Sequence, residues 1–414
     1  MKKNKTLSVI FLTIFLDMMG IGILIPVFPL LINHASEFCV TPSGWTQGES
    51  YIMSGWLLAS YPICQFIMSP ILGQLSDRYG RKKILIISIF GTAISYVLFG
   101  FAILSKSITG LFIARMIDGL SGGNISIAQA VIGDVSQPEK RARNFGLIGV
   151  SIGVGFIMGP AIGGILSDPS IYHLFDAATP FWLAAILGFI NCWLIARNFD
   201  ETLRFVKNSQ IKITKSIINI QQIFKLGKLK YIIFVMFLYN FGWSFFTAFW
   251  GIILAQKFAY TQVQIGFFFA YLGVMIVIAQ GGVVRRLSGK VSEIPVLKVA
   301  LLVSGLSLGA YYVTPVTDTS YIYWVTPILA IGSALVKSFS SSLITRLADK
   351  RRLGEVMGVN SSSNALSQVF PMLCAGYIAY FNVYSTVLFG CIFVLLSWVL
   401  FQLFNHKFGL TTVT

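Results

Sequence analysis

Gly73-Gln-Leu-Ser-Asp-Arg-Tyr-Gly-Arg-Lys-Lys83 is a compact, charged, glycine-punctuated link between two long apolar runs, at about 51–72 and 84–104. A link this short makes the two runs an antiparallel hairpin. Its four basic residues, Arg78, Arg81, Lys82 and Lys83, mark the cytoplasmic side of a bilayer.

The rest of the chain has the same character. Its 414 residues are 56% hydrophobic and only 11% charged, too apolar for a soluble fold. A membrane core takes roughly 20 apolar residues per helix. Twelve runs qualify, at about 7–32, 51–72, 84–104, 109–132, 145–166, 180–197, 231–255, 263–284, 294–313, 321–344, 355–380 and 383–404. Lipid leaves unpaired backbone groups too costly for anything but helices or a closed barrel. Runs of this length are not the ten-residue alternating strands of a barrel. The expected fold is therefore all-α and polytopic.

The formal charge of +16 would suit a nucleic-acid binder, but its distribution says otherwise. Of 31 Lys and Arg, 26 fall in the termini and in alternate links, beginning with 73–83. The opposite links hold Lys106 and Lys257, and Arg115, Lys298 and Lys337 lie within spans. This asymmetry is the positive-inside pattern. It places both termini in the cytoplasm and implies a lipid bilayer, not nucleic acid, as partner. The opening Met-Lys-Lys-Asn-Lys imitates a secretory signal. The run after it is too long, holds Asp17, Pro26 and Pro29, and has no small-x-small cleavage site, so it reads as a retained first span. Four of five cysteines fall in spans and only Cys39 faces outward, so no disulfide framework is implied.

The longest polar interruption, 199–228, divides the chain into an N-terminal six-helix bundle at 1–198 and a C-terminal one at 229–414. Within it, Ile211, Ile213, Ile217, Ile218, Ile220 and Ile223 among lysines suit an amphipathic surface helix, or simply a tether. A faint repeat relates the halves. Lys140 to Gly146 precedes span five and Lys350 to Gly358 precedes span eleven, each followed at similar distance by a proline, Pro160 and Pro371. Parallel repeats of this kind build one large transporter class, with substrate handled near the bilayer midplane.

Ionisable groups within the bilayer are costly, so they are functional candidates. Of fifteen acidic residues only Asp17 and Asp118 lie well inside spans, and His34, His173 and His406 all lie outside. Carboxylates must then carry any proton that drives the protein. Arg115 lies one turn before Asp118 on the same face. That pair reads either as a proton site with its cation or as a static ion pair. Lys337, at mid-span, needs a partner or a wet cavity. We expect it to face a central cavity and approach Asp17 or Asp118. Gly155, Gly159 and Gly163 recur at i, i+4, i+8, a stripe that admits another helix closely. Pro160 bends that helix. Span seven carries Tyr239, Phe241, Trp243, Phe245, Phe246, Phe249 and Trp250 with Asn240 beside them. Asn240, Trp243 and Phe246 are candidates for a largely apolar substrate pocket, while most of the cluster is expected against lipid or neighbouring helices.

Four of these stretches together resemble the major facilitator superfamily, specifically its twelve-helix drug/proton antiporter branch and tetracycline-exporter-like group. They are Phe15 to Pro29 in span one, Gly73 to Lys83, Arg115-Met-Ile-Asp118-Gly119 in span four, and Gly153 to Gly164 in span five. The resemblance implies two six-helix halves and a cytoplasmic latch of Gly73, Asp77, Arg78, Gly80, Arg81 and Asp134, with Asp77 near the start of helix eleven. It also implies that the span-five motif, Gly155, Gly159, Pro160, Gly163 and Gly164, faces helix eight at Gly266 and Gly273. The implied activity is proton-coupled export of a small amphipathic organic compound by a monomer of the bacterial inner membrane, powered by the proton gradient without a cofactor. A self-made metabolite such as a siderophore, or proton-coupled import, are the alternatives on the same fold. Exporters of the group carry an acid in helix three where this chain has Ser95, and ionisable groups in helices eight and nine. Here helix eight is uncharged between Gln262 and Gly282 and helix nine has only Lys298, so tetracycline itself does not follow. No His-Glu-x-x-His occurs and no span contains a histidine, which argues against an enzyme.

Overall fold

A computed structural model describes residues 2–136, 138–203, 214–223, 226–348 and 353–408. Its helices are α1 (Lys2–Ile32), α2 (Gln47–Tyr79), α3 (Arg81–Leu104), α4 (Ile108–Ser121), α5 (Asn124–Val135), α6 (Pro138–Leu166), α7 (Thr179–Asn198), α8 (Lys215–Ile223), α9 (Leu229–Phe258), α10 (Gln262–Ala279), α11 (Arg285–Leu287), α12 (Glu293–Val313), α13 (Ser320–Leu347), α14 (Leu353–Asn382) and α15 (Ser385–Phe408). Among the described residues, ten helices are long and apolar enough to cross a membrane. The other two of the twelve passages are α14 and the pair α4–α5.

The pair corrects the expectation of one continuous fourth span. The passage breaks at Gly122–Gly123, where Gly122 N–H bonds to the Gly119 carbonyl and Gly123 N–H to that of Ser121. Glycine loses the most backbone freedom in a helix, and two together open it. Hydropathy is blind to such a break because glycine barely alters it. Irregular backbone at membrane depth persists where protein surrounds it. Here it is wrapped by α2: Gln65 Nε2 donates to the Gly122 carbonyl at 2.9 Å, and a Cβ on Gly123 would lie 2.5 Å from Leu72 Cδ1. A second irregularity, the π-helical turn Gln280–Val284, joins α10 to α11.

Local signals explain the helix ends. Thr46 caps α2 in a reciprocal box with Glu49, and Ser107 accepts from Gly110 N–H at the start of α4. Gly80, at φ 102°, turns α2 directly into α3, a conformation that costs other residues.

The chain divides into two compact units, Met1–Ser50 with Ser60–Lys215 and Tyr260–Tyr271, and Tyr51–Ala59 with Ser216–Ala259 and Leu272–Thr414. In the first, α1 packs on α6 and α7, and α3 on α4 and α7. In the second, α9 packs on α14 and α15, and α12 on α13 and α15. Numbered as membrane passages, the first set is one with five and six, three with four and six. The second is the same set displaced by six. Outward faces are apolar as lipid requires, with Phe381 86% and Trp324 77% exposed.

The polar link after α7 contributes a short helix. Only Ile217, Ile218, Ile220 and Ile223 of its isoleucines lie on α8, and Ile211 and Ile213 fall outside the described residues. Asn219 Nδ2 donates to Ser362 Oγ on α14 at 3.1 Å. Of the repeated basic segments, the side chains of 140–146 and all of 350–352 lie outside the described residues.

Candidate functional site

The glycine stripe of α6 positions the acidic helix. A Cβ on Gly155 would lie 2.6 Å from the Phe15 carbonyl oxygen and one on Gly163 2.6 Å from that of Ile23. Gly159 faces the Met19 carbonyl in the same way. Three glycines four residues apart thus meet three carbonyls four residues apart on α1, the helix that carries Asp17. This differs from the expected packing on helix eight. That helix, α10, is met by the neighbouring face of α6: a Cβ on Gly164 would lie 2.5 Å from the Gln262 carbonyl oxygen, and Gly266 abuts that of Pro160. Residues 160 and 164 sit about 100° around the helix from 159 and 163, so one motif serves two partners.

Asp17 is buried, 8% exposed. Asn124 Nδ2 donates to its Oδ1 at 2.5 Å, while Oδ2 is buried with no hydrogen-bond partner among the described residues. Asn124 is the first residue of α5, so the break in the fourth passage is what aims its amide at Asp17. Both border a small cavity of about 20 Å³, together with Thr13, Thr92, Tyr96 and Asn191, which is room for about one water molecule.

Arg115 and Asp118 form the second buried group, 9% and 6% exposed. Arg115 Nη1 lies 3.6 Å from Asp118 Oδ2, its guanidinium rests 4.9 Å from the centre of the Tyr61 ring, and its Nε has no hydrogen-bond partner among the described residues. This is a one-point pair, not the bidentate fork that holds arginine most firmly. A cavity of about 10 Å³ adjoins it, lined also by Gly20, Ser95, Tyr96 and Phe181.

The charged hairpin forms a dense network at the other end of the unit. Arg81 Nη2 pairs with Asp77 at 2.5 Å, Nε with Asp134 at 3.3 Å, and Nη1 donates to Ser76 Oγ at 2.6 Å. Glu201, which the sequence did not single out, accepts from Arg81 N–H at 2.9 Å and Lys82 N–H at 3.1 Å. It caps α3 from 120 residues away. Gly80 is needed here on a second count, because a Cβ would lie 2.5 Å from Glu201 Oε2. Arg78 rests over Tyr79, and Gly73 has open space where a Cβ would be. Residues 349–352, which precede helix eleven, lie outside the described residues.

The remaining candidates belong to the second unit. Lys337 is exposed, with no ion-pair or hydrogen-bond partner for its ammonium among the described residues. Asn240 Nδ2 donates to Asn364 Oδ1 at 3.0 Å, and Trp243 is half-buried. Phe246 is wholly buried, its ring 5.5 Å from that of Tyr311, which stacks on Trp250 at 4.7 Å. It belongs to that unit's core and does not line an open pocket. Sequence spacing cannot separate these roles, because neighbours on one helix face can meet a core or a cavity.

Among the described residues, no group of three or more His, Cys, Asp or Glu is placed to hold a metal ion.

Comparison with known proteins agrees with this architecture. The Major Facilitator Superfamily profile matches residues 10–370. The class H tetracycline resistance protein of Pasteurella multocida is 30% identical over 383 residues, 91% of this chain and 90% of that protein. Multidrug resistance protein 1 of Bacillus subtilis (strain 168) is 28% identical over 381 residues, 91% and 90% of the two chains. Among solved structures, the D-xylose-proton symporter superposes with a TM-score of 0.77 at 14% identity, over 97% of each chain, a likeness of fold.

Proposed function

The chain belongs to the Major Facilitator Superfamily, and on that footing we propose that it is a proton-coupled exporter of a small amphipathic organic compound. The observation that carries the proposal is Asp17: a buried carboxylate with one oxygen fixed by Asn124 and the other, beside a cavity, unpartnered among the described residues. A fixed oxygen sets the geometry and an open one is available to a proton. Relatives named for tetracycline and multidrug resistance support a drug-type cargo.

Asp17 and the Arg115–Asp118 pair would take up and release protons, and two six-helix halves, 1–198 and 229–414 joined by 199–228, would alternate access to the cargo. A proton and a cargo molecule exchange when each favours a different state of the protein. Lys337, Asn240 and Trp243 would meet the cargo, Lys337 because an ammonium unpaired among the described residues suits an acidic group on it. The Asp77–Arg81–Asp134 network would open and close with the cycle as the cytoplasmic latch. The working unit would be a monomer in the bacterial inner membrane with both termini cytoplasmic, driven by the proton gradient without a cofactor.

Purified protein in liposomes under an imposed pH gradient tests this. Cationic and zwitterionic drugs and the cell's own carboxylated metabolites are offered as cargo. Proton efflux tied to cargo uptake, in vesicles where the gradient mimics export, is the expected result. Cargo moving with the proton would instead assign symport, and no proton flux with any moving cargo would refute coupling.

A further inference from the structure

The two cavities of the first unit are stacked along its helix axis. On α1, Thr13 and Asp17 border the first, and Gly20 and Leu24 the second. On α3 the order is Ile89 and Thr92, then Ser95 and Phe99; on α7, which runs the other way, it is Asn191 and Ala184, then Phe181. The broken fourth passage agrees, with Asn124 at the first and Asp118 and Arg115 at the second. Every element places the Asp17 cavity nearer the Arg81 end of the bundle and the Arg115–Asp118 cavity nearer the Leu104 end.

Tyr96 is the one residue that borders both. It is 8% exposed, and its hydroxyl makes no hydrogen bond to a described residue. That hydroxyl presses on α1 at Gly20, one turn beyond Asp17, where a Cβ would collide with it. Tyr96 thus lies where the two cavities meet, held by packing and not by a hydrogen bond to a described residue. The charged or titratable groups around it are Asp17 on α1, Tyr61 on α2, and Arg115 and Asp118 on α4.

We propose that Tyr96 is a movable partition between the two acids, and that displacing its ring joins the cavities into one proton passage. With the ring aside, a proton leaves the Asp118 carboxyl and is taken by the Asp17 carboxylate through an intervening water, with no change in bonding elsewhere. With the ring in place the acids load and unload separately. This rests on the proton coupling proposed above, and makes Tyr96 a positioning residue for it.

The test is proton flux into proteoliposomes under a pH gradient with no cargo present. Tyr96→Ala is expected to raise the leak several-fold over the unsubstituted protein, and Tyr96→Phe, which keeps the ring, to leave it unchanged. Gly20→Ala places a methyl where the hydroxyl sits and is expected to raise the leak by a second route that leaves Tyr96 intact. Adding Asp17→Asn to Tyr96→Ala should abolish the excess, which separates a defined passage from a damaged fold. Size-exclusion profiles and thermal unfolding show which variants are folded. A tight Tyr96→Ala protein, a leak as large in Tyr96→Phe, or a leak that survives Asp17→Asn would each overturn the proposal. Because no cargo is used, failure to find a transported drug would refute the export reading alone.

Discussion

Two ion pairs stand at corresponding places in the two units, with their charges exchanged. In the first, Arg81 opens α3 and pairs with Asp134, the penultimate residue of α5. In the second, Glu293 opens α12 and pairs at 2.9 Å with Arg346, the penultimate residue of α13. Helix N-termini favour anions and C-termini cations, so the second pair agrees with both helix ends and the first opposes both. The supporting cast differs accordingly. Glu293 needs one extra contact, from Ser342 Oγ at 3.0 Å. Arg81 gathers Asp77 and Ser76, and the α3 N-terminus receives Glu201 as the anion that Arg81 is not. A pair set against its helix ends is held by added partners, and such an arrangement can be undone by withdrawing one of them.

Arg81→Ala tests this hardest. It strands Asp77 and Asp134, each about a third exposed, beside a position that is only 10% exposed. Losing one member of a largely buried pair, discounted for the exposure of the acids, should cost about 2–3 kcal/mol in thermal unfolding of the purified protein. A cost no larger than that of Arg346→Ala would erase the distinction between the units. Glu201→Ala removes a helix cap and should cost about 1–2 kcal/mol; hydrogen exchange at the amides of Arg81 and Lys82 should quicken with it. Exchanging the second pair, as Glu293→Arg with Arg346→Glu, keeps the attraction but turns both charges against their helices. With no counterpart of Glu201 at the α12 start among the described residues, that double variant should lose about 1 kcal/mol. Unchanged stability would show that helix ends do not govern either pair.

The units also differ in their interiors. The first buries Asp17, Arg115, Asp118 and Asn124, and the second buries Trp250, Tyr311 and Phe246 in one stacked group. This division was partly legible in the sequence. Asp17, Arg115 and Asp118 announce themselves because charge in an apolar run is costly, and the hairpin at Gly73–Lys83 does so through its basic residues. Asn124 and Tyr96 do not, because an amide or a phenol in a span is unremarkable until packing sets it against a carboxylate. Glu201 was hidden by distance along the chain. The glycine stripe was visible but its direction was not, since periodicity gives a face and leaves the partner open. Gly122–Gly123 was in plain view, yet only the backbone shows that it breaks the fourth passage and turns Asn124 toward Asp17.

In the proposed cycle the open oxygen of Asp17 couples a proton to the cargo. Asp17→Asn keeps the shape and removes the titratable group, so gradient-driven accumulation and gradient-free exchange of labelled cargo should be measured side by side in proteoliposomes. Accumulation is predicted to fall about tenfold or more, at least about 1.4 kcal/mol of lost coupling, while exchange persists. Full accumulation by the Asp17→Asn protein would contradict a coupling role for Asp17.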